Sequence, residues 1–358
     1  GNHATSFQNS VSPNILNHFF ASNSYDDSRP DDLTEICWAS TDEMPTSNDA
    51  SEIYTVDEML VERQLRTMKN SSPGADLIPP WVFRKCSYEL AAPATELFNV
   101  SFSQGRVPSE WCSAIVIPVP KVPRPTSITD LRPISITPLL SRTAERLLVK
   151  HYLQPSINSE LMNDQFAFRA TGSTTSALAF IMHKITLYLE SHMFVRCLMI
   201  DFSKAFDVVD RELLLDKLQR FDTPVSIRNW ITAFLSNRKQ HTVNNGCSSE
   251  ELPVNMGVVQ GSVLGPTLFS IYIADLKPVS KQNDMVKFAD DVTLLVPENT
   301  DTQITDEFNS VKVWADANKM TINLSKTKEI VFHRPRPLKH LLPPILTGIE
   351  RVVIAKLF

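Results

Sequence analysis

The chain has 358 residues, 42% of them hydrophobic, which is enough for two or three domains with buried cores and too apolar for a disordered chain. Its five cysteines, Cys37, Cys86, Cys112, Cys197 and Cys247, never fall into a C-x₂-C pair; this argues against a disulfide framework or zinc site and favours a reducing, intracellular setting, nucleus or cytoplasm. The net charge of -5 is unevenly spread: residues 1–60 hold 11 of the 40 acidic residues and only Arg29 of the 35 basic ones, so they sum to -10 and the remainder to +5, compatible with a polyanion partner.

The opening GNHATSFQNS lacks the basic start and apolar body of a signal peptide. No apolar run approaches the roughly 20 residues of a membrane span, so no membrane partner is expected. The first 50 or so residues are rich in Ser, Asn, Asp and Pro, and read as an irregular leader with one apolar patch, Ile15 to Phe20. Spacing of Val56, Leu60, Leu65 and Met68 predicts a helix ending before Ser71-Ser72-Pro73-Gly74, and Leu90 to Phe102 predicts another. Ala114 to Val119 reads as a strand, followed by a crossing in which Pro118, Pro120, Pro123, Pro125 and Pro133 preclude long helix. Helical periodicity returns at Leu139 to Leu153 and at Thr174 to Leu189.

Val195 to Ile200 is an apolar run of strand length that stops at Asp201, and helix resumes around Asp210. Pro253 to Gln260 reads as extended, and Gly261 to Pro266 as a loop entering a helix from Thr267 to Leu276. Val286 to Phe288 and Val292 to Val296 form a hairpin candidate around the insert Ala289-Asp290-Asp291.

A carboxylate ending a buried strand is unfavourable unless something there needs negative charge, and two adjacent aspartates in a tight turn repel unless a cation neutralises them. Divalent metal ions answer both problems at Asp201, Asp290 and Asp291, because hard oxygen ligands on two strands can hold a pair of Mg²⁺ ions about 3.5–4 Å apart for phosphoryl chemistry. Taken alone, Asp290-Asp291 is more often a local turn feature.

The surrounding strings decide between these readings. DFSKAFD at Asp201 to Asp207, QGSVLGP at Gln260 to Pro266 and FADD at Phe288 to Asp291, in this order, resemble the palm motifs of reverse transcriptases, most closely those of non-LTR (LINE-type) retrotransposons. SSPGADLIPP, VPSEWCSAIVIPVPK, DLRPIS at Asp130 to Ser135, FAFRATGST at Phe166 to Thr174, NLSKTK at Asn323 to Lys328 and the terminal RVVIAKLF extend the resemblance over most of the chain. It implies an α+β right-hand polymerase with fingers and palm, the palm an antiparallel sheet backed by helices. It also implies RNA-directed DNA polymerase activity: two Mg²⁺ ions (Mn²⁺ as a substitute), dNTPs, and an RNA or DNA template with its primer.

By the same resemblance Asp201, Asp290 and Asp291 are the metal ligands, and Lys326 is a general acid for pyrophosphate. Lys121 and Arg132 grip the triphosphate. The Phe202 backbone, Gln260 and Gly261 approach the nucleotide, Phe206 is the gate against a ribose 2′-hydroxyl, and Arg169 contacts the template. The implied divisions are a leader over 1–55, a helical extension of the fingers over 56–110, fingers over 111–194, palm over 195–215, an insertion over 216–252, and palm again over 253–358, ending in the primer-grip strand. Thumb and endonuclease are expected only in a longer relative. Two other classes stay open: an idle retroelement remnant that binds nucleic acid or a protein, and an unrelated metal-dependent phosphotransferase, which DFSKAFD disfavours because it lacks D-x-D spacing.

Overall fold

A computed structural model describes residues 7, 10–34, 55–157, 162–169, 172–334 and 342–353. The backbone divides into two units, Gly1–Ser156 with Arg211–Leu268, and Ile157–Asp210 with Phe269–Phe358, each combining helices with a sheet. In chain order the described strands are β1 Ser113–Pro120, β2 Leu131–Ile136, β3 Phe194–Ile200, β4 Arg238–Asn244, β5 Cys247–Ser248, β6 Leu252–Val254, β7 Asp284–Phe288, β8 Asp291–Pro297, β9 Lys328–His333 and β10 Glu350–Arg351. Among the described residues no helix is long and apolar enough to cross a membrane.

The first unit is built on a sheet of order β2-β1-β4-β5, with β6 also paired to β4. β2 is its outer strand, where Pro133, lacking an N–H, is tolerated opposite Pro118. Part of the stretch expected to be an irregular leader is ordered here: Pro13–Ala21 is a helix, started by Ser12, whose hydroxyl accepts the Ile15 N–H, and by Pro13 at its first position. Leu16 and Phe20 pack on Val116 and Leu131.

Asn17 makes the polar half of that docking. Its amide donates to the Glu250 carbonyl at 2.8 Å, and its Oδ1 accepts from Gln240 Nε2 at 3.2 Å and Thr242 Oγ1 at 3.1 Å. Beyond this sheet, the helices Ser87–Gln104 and Val225–Leu235 bring Phe102 and Trp230 edge to face at 5.8 Å, and the Trp230 indole donates to Ser101 Oγ. The sequence reading did not anticipate Val225–Leu235.

In the second unit the order is β10-β9-β3-β8-β7, with only the β10–β9 pair parallel. β3 is central, which explains its unbroken apolar run: Val195, Cys197 and Leu198 are all fully buried. The helix Thr174–Ser191 lays Ala177, Ile181 and Ile185 against Val195, Cys197, Val286 and Leu295. This core makes the β3–β8 pair the stiff platform on which the acidic residues stand.

Candidate active site

Register, not chain proximity, brings the first carboxylates together. β3 and β8 run antiparallel with Ile200 opposite Val292, which puts Asp201 and Asp291 just past the end of the paired stretch, near enough for their charges to repel. β7 and β8 close with Phe288 paired to Asp291, which leaves a two-residue turn, Ala289-Asp290. The expected three-residue insert is therefore corrected: Asp291 is the first residue of β8. A two-residue hairpin needs positive φ, and Ala289 supplies it at 57° despite its side chain.

The NLSKTK string wraps the other side of Asp201. Asn323 N–H donates to the Asp201 carbonyl at 2.8 Å, while Asp201 N–H donates to Thr327 Oγ1 at 3.3 Å. Thr327 is fully buried, so this grip on the backbone is protected from water. Phe202 bridges Ile322, yet the two bonds of that bridge are made by its neighbours, since Ser203 N–H donates to Thr321. Its ring is buried edge to face with Trp314 at 6.0 Å.

Electrostatically the cluster is short of positive charge. Partial burial pushes the Asp201 carboxyl up, against the pull of Lys326 and a hydrogen bond from Asn323. Burial and the nearby Asp290 and Asp201 push Asp291 up to about 6, although much of that residue still meets solvent. Lys326 Nζ lies 3.8 Å from Asp201 Oδ2, too far for a hydrogen bond, and that buried oxygen has no hydrogen-bond partner. Among the described residues no three His, Cys, Asp or Glu side chains stand ready to hold a metal ion unaided. An orphaned carboxylate oxygen beside mutually repelling carboxylates nonetheless fits a hard divalent cation completed by other oxygens.

That repulsion gives a pH-dependent prediction. With its folded pKa near 6 and an unfolded value of about 3.9, Asp291 binds its proton more tightly in the folded chain, so its contribution is fully favourable below about pH 4 and is lost as pH rises through 6. In metal-free buffer Asp291→Asn should therefore raise the melting temperature at pH 7.5 and leave it unchanged at pH 4, read by thermal unfolding.

Phe206 lies in the turn after Asp201, half-buried, with its ring stacked on Phe269 at a 4.3 Å centroid distance and 16° between planes. Arg169, read as a template contact, donates to the carbonyls of Gln165 at 3.0 Å and Met162 at 3.3 Å in its own loop.

Lys121, Arg132, Gln260 and Gly261 belong to the first unit. Arg132 is opposite Val119, and Lys121 N–H continues the ladder to the Asp130 carbonyl, so both cations occupy one face of the β1–β2 hairpin as diagonal neighbours. Lys121 Nζ donates to the Thr129 carbonyl at 2.8 Å. The QGSVLGP loop is fastened to β2: Ser135 N–H donates to the Gln260 carbonyl at 2.7 Å. Gly261 has φ 105°, and a Cβ there would meet the Ser135 carbonyl oxygen at 2.5 Å. Gly261→Ala should accordingly cost about 3 kcal/mol in denaturant unfolding, from strain and from a backbone oxygen that cannot swing away.

Two residues that the sequence reading missed hold these pieces in place. Glu145, completely buried, accepts from the N–H groups of Val263 and Leu264 and so caps the helix Leu264–Tyr272 behind the QGSVLGP loop. That cap starts the helix three residues before the expected Thr267. Gln165 is the other, and its role is taken up below. Neither carried a sequence signal, because a Glu in an amphipathic helix and a Gln in a loop are common and their burial is not written locally.

The model of the family "Reverse transcriptase (RNA-dependent DNA polymerase)" matches residues 119–341, well over half of the chain. The chain belongs to the reverse transcriptase family. It is 27% identical over 274 residues, 73% of its length, to the RNA-directed DNA polymerase from mobile element jockey of Drosophila melanogaster. It is 26% identical over 290 residues to the probable RNA-directed DNA polymerase from transposon X-element of the same species, and 25% identical over 283 residues to a Pol polyprotein of a type-1 R2 retrotransposable element of Popillia japonica. These relatives are non-LTR retrotransposon proteins, as the motif strings implied. The match spans about 30% of the jockey polymerase's own length. Among solved structures the chain is similar to a telomerase from Candida Tropicalis, at a TM-score of 0.45 and 11% identity over 68% of this chain and 45% of that one, too weak a likeness to argue from.

Proposed function

We propose that this reverse transcriptase chain is an RNA-directed DNA polymerase of a non-LTR retrotransposon, in which Asp201, Asp290 and Asp291 hold two Mg²⁺ ions. The observation that carries the reading is the nearness of Asp201 and Asp291 just beyond the Ile200–Val292 pair of β3 and β8, with Asp201 Oδ2 accepting no hydrogen bond. In this reading the fingers are residues 111–194 and the palm residues 195–215 and 253–358. Substrates are dNTPs and a primer paired to an RNA or DNA template. Mg²⁺, or Mn²⁺ in its place, would supply Lewis-acid activation of the primer 3′-hydroxyl and neutralisation of the triphosphate.

The chain's own contributions follow from the site. Asp291 is fixed by pairing with Phe288 and Asp201 by its backbone bonds to Asn323 and Thr327, so both need little reorganisation to present their oxygens. Lys121 and Arg132 offer the β- and γ-phosphates charge-assisted hydrogen bonds from one hairpin face. The Phe202 backbone, Gln260 and Gly261 let the nucleotide approach main chain closely. The Lys326 ammonium, only weakly paired with Asp201 at 3.8 Å, would donate a proton to departing pyrophosphate. The bond formed joins the 3′-oxygen to the α-phosphorus, and the bond broken releases pyrophosphate.

Primer extension on an RNA template with Mg²⁺ and dNTPs tests this. The wild-type chain should add nucleotides and Asp201→Asn should not; no extension by either, or equal extension by both, overturns the reading. In the same assay Phe206→Ala should lower the dNTP over rNTP preference in kcat/KM about a hundredfold, because Phe269 holds the ring as a rigid wall.

A further inference from the structure

β7 is an outer strand of its sheet, and its open edge is covered by residues 164–166. Lys287 N–H donates to the Asp164 carbonyl and Phe166 N–H to the Lys287 carbonyl, both at 2.8 Å, forming a parallel bridge centred on Gln165. The loop is fixed further by Asp164, whose carboxylate pairs with Lys277 at 2.9 Å and with the fully buried Lys287 at 3.1 Å. Arg169 closes it by donating to its carbonyls.

Just past the end of β7, Ala289 is held in the left-handed region, where a side chain is strained. Its N–H donates to Gln165 Oε1 at 3.1 Å, and the same oxygen accepts the Ala167 N–H at 3.0 Å. Gln165 is 1% exposed, so no water competes for that oxygen. Its Nε2 is buried without a partner among the described residues. A glutamine serving merely as a satisfied core amide would pair both ends; this one keeps its acceptor at the cost of its donor.

We infer that Gln165 is a positioning residue of the metal-binding turn: by holding Ala289 N–H it fixes the left-handed turn and with it the direction in which Asp290 leaves the sheet. The inference rests on the polymerase reading for its function, but its geometry does not. Loss of the acceptor lets Ala289 relax, and the carboxylate that follows is then no longer presented to a cation with its partners.

The test uses the chain itself with Mn²⁺ as the probe. Gln165→Met keeps the volume and removes the acceptor, while Gln165→Glu, kept protonated by burial, keeps an accepting oxygen and exchanges only the unpartnered amide nitrogen. In Gln165→Met, hydrogen exchange at the Ala289 amide should quicken about tenfold or more while β3 amides stay protected, and half-saturation by Mn²⁺ should rise about tenfold, with Gln165→Glu close to wild type in both. Unchanged exchange and Mn²⁺ binding in Gln165→Met, or equal impairment of the two variants, overturns the inference. Should Gln165→Met fail to fold, Gln165→Glu decides alone: Ala289 protection near wild type supports the assignment and its loss overturns it. A wild-type chain that protects Ala289 yet extends no primer would sink the polymerase reading and leave the positioning role standing.

Discussion

Asp290→Ala is expected to lower primer extension by at least about a thousandfold while leaving the metal-free chain folded and no less heat-stable at pH 7.5. The two halves of that expectation have one cause. Asp290 is among the charges that push Asp291 up to about 6, so removing it relieves repulsion in the folded state. On the proposed reading the same removal takes away a ligand for the cations. A residue kept for packing would show the reverse: loss of stability with activity falling only in proportion. Steady-state incorporation and a melting curve on one preparation separate the two cases.

The second large effect concerns the sheet that carries the site. Glu329 on β9 is fully buried between two guanidinium groups, Arg196 on β3 at 2.6 Å and Arg351 on β10 at 2.8 Å. Both arginines also donate to the Pro344 carbonyl, so the carboxylate ties the 343–351 segment to the central strand. Glu329→Ala leaves Arg196 buried without its counter-charge and should cost about 3–5 kcal/mol in denaturant unfolding. Replacing the pair together, Glu329→Leu with Arg196→Met, should recover most of that loss, because the desolvated charges leave at once and Arg351, partly exposed, can turn to water. If the double variant were as unstable as Glu329→Ala, packing and not charge would be the cause.

What the sequence made legible follows a physical rule. β3 was plain because a strand buried on both faces is a continuous apolar run, and Asp201 stood out against it. The β7–β8 hairpin was plain too, yet its turn was read one residue too long, since nothing in Ala289 announces a left-handed backbone where Gly or Asn is usual. β4 escaped because its buried face is the polar one: Arg238, Gln240, Thr242 and Asn244 all turn inward. Arg238 donates to the Phe234 carbonyl, and Gln240 and Thr242 meet Asn17, so hydrogen bonds do there what apolar contacts do elsewhere. Hydrophobic periodicity is blind to such a strand. For the same reason the Pro13–Ala21 helix read as leader: half of its anchorage is one asparagine meeting a face that is distant in sequence.

The site residues divide in a similar way. The aspartates stand out in the sequence because an uncompensated charge asks for a cause, and motif order proposes one. Gln165 and Glu145 act on backbone N–H groups more than a hundred residues away, and no local spacing records that. Arg169, expected at the template, is exposed and also donates to the Gln165 carbonyl of its own loop, a bond that no motif spacing records.

The central claim, that the carboxylates of Asp201, Asp290 and Asp291 gather divalent cations, is tested most directly by titrating Mn²⁺ into the metal-free chain and following paramagnetic broadening of amide resonances. The amides of residues 200–202 and 289–292 should broaden first in the wild-type chain, and Asp201→Asn should need far more Mn²⁺ to reach the same broadening. First broadening elsewhere, or an unchanged titration in Asp201→Asn, would contradict the account.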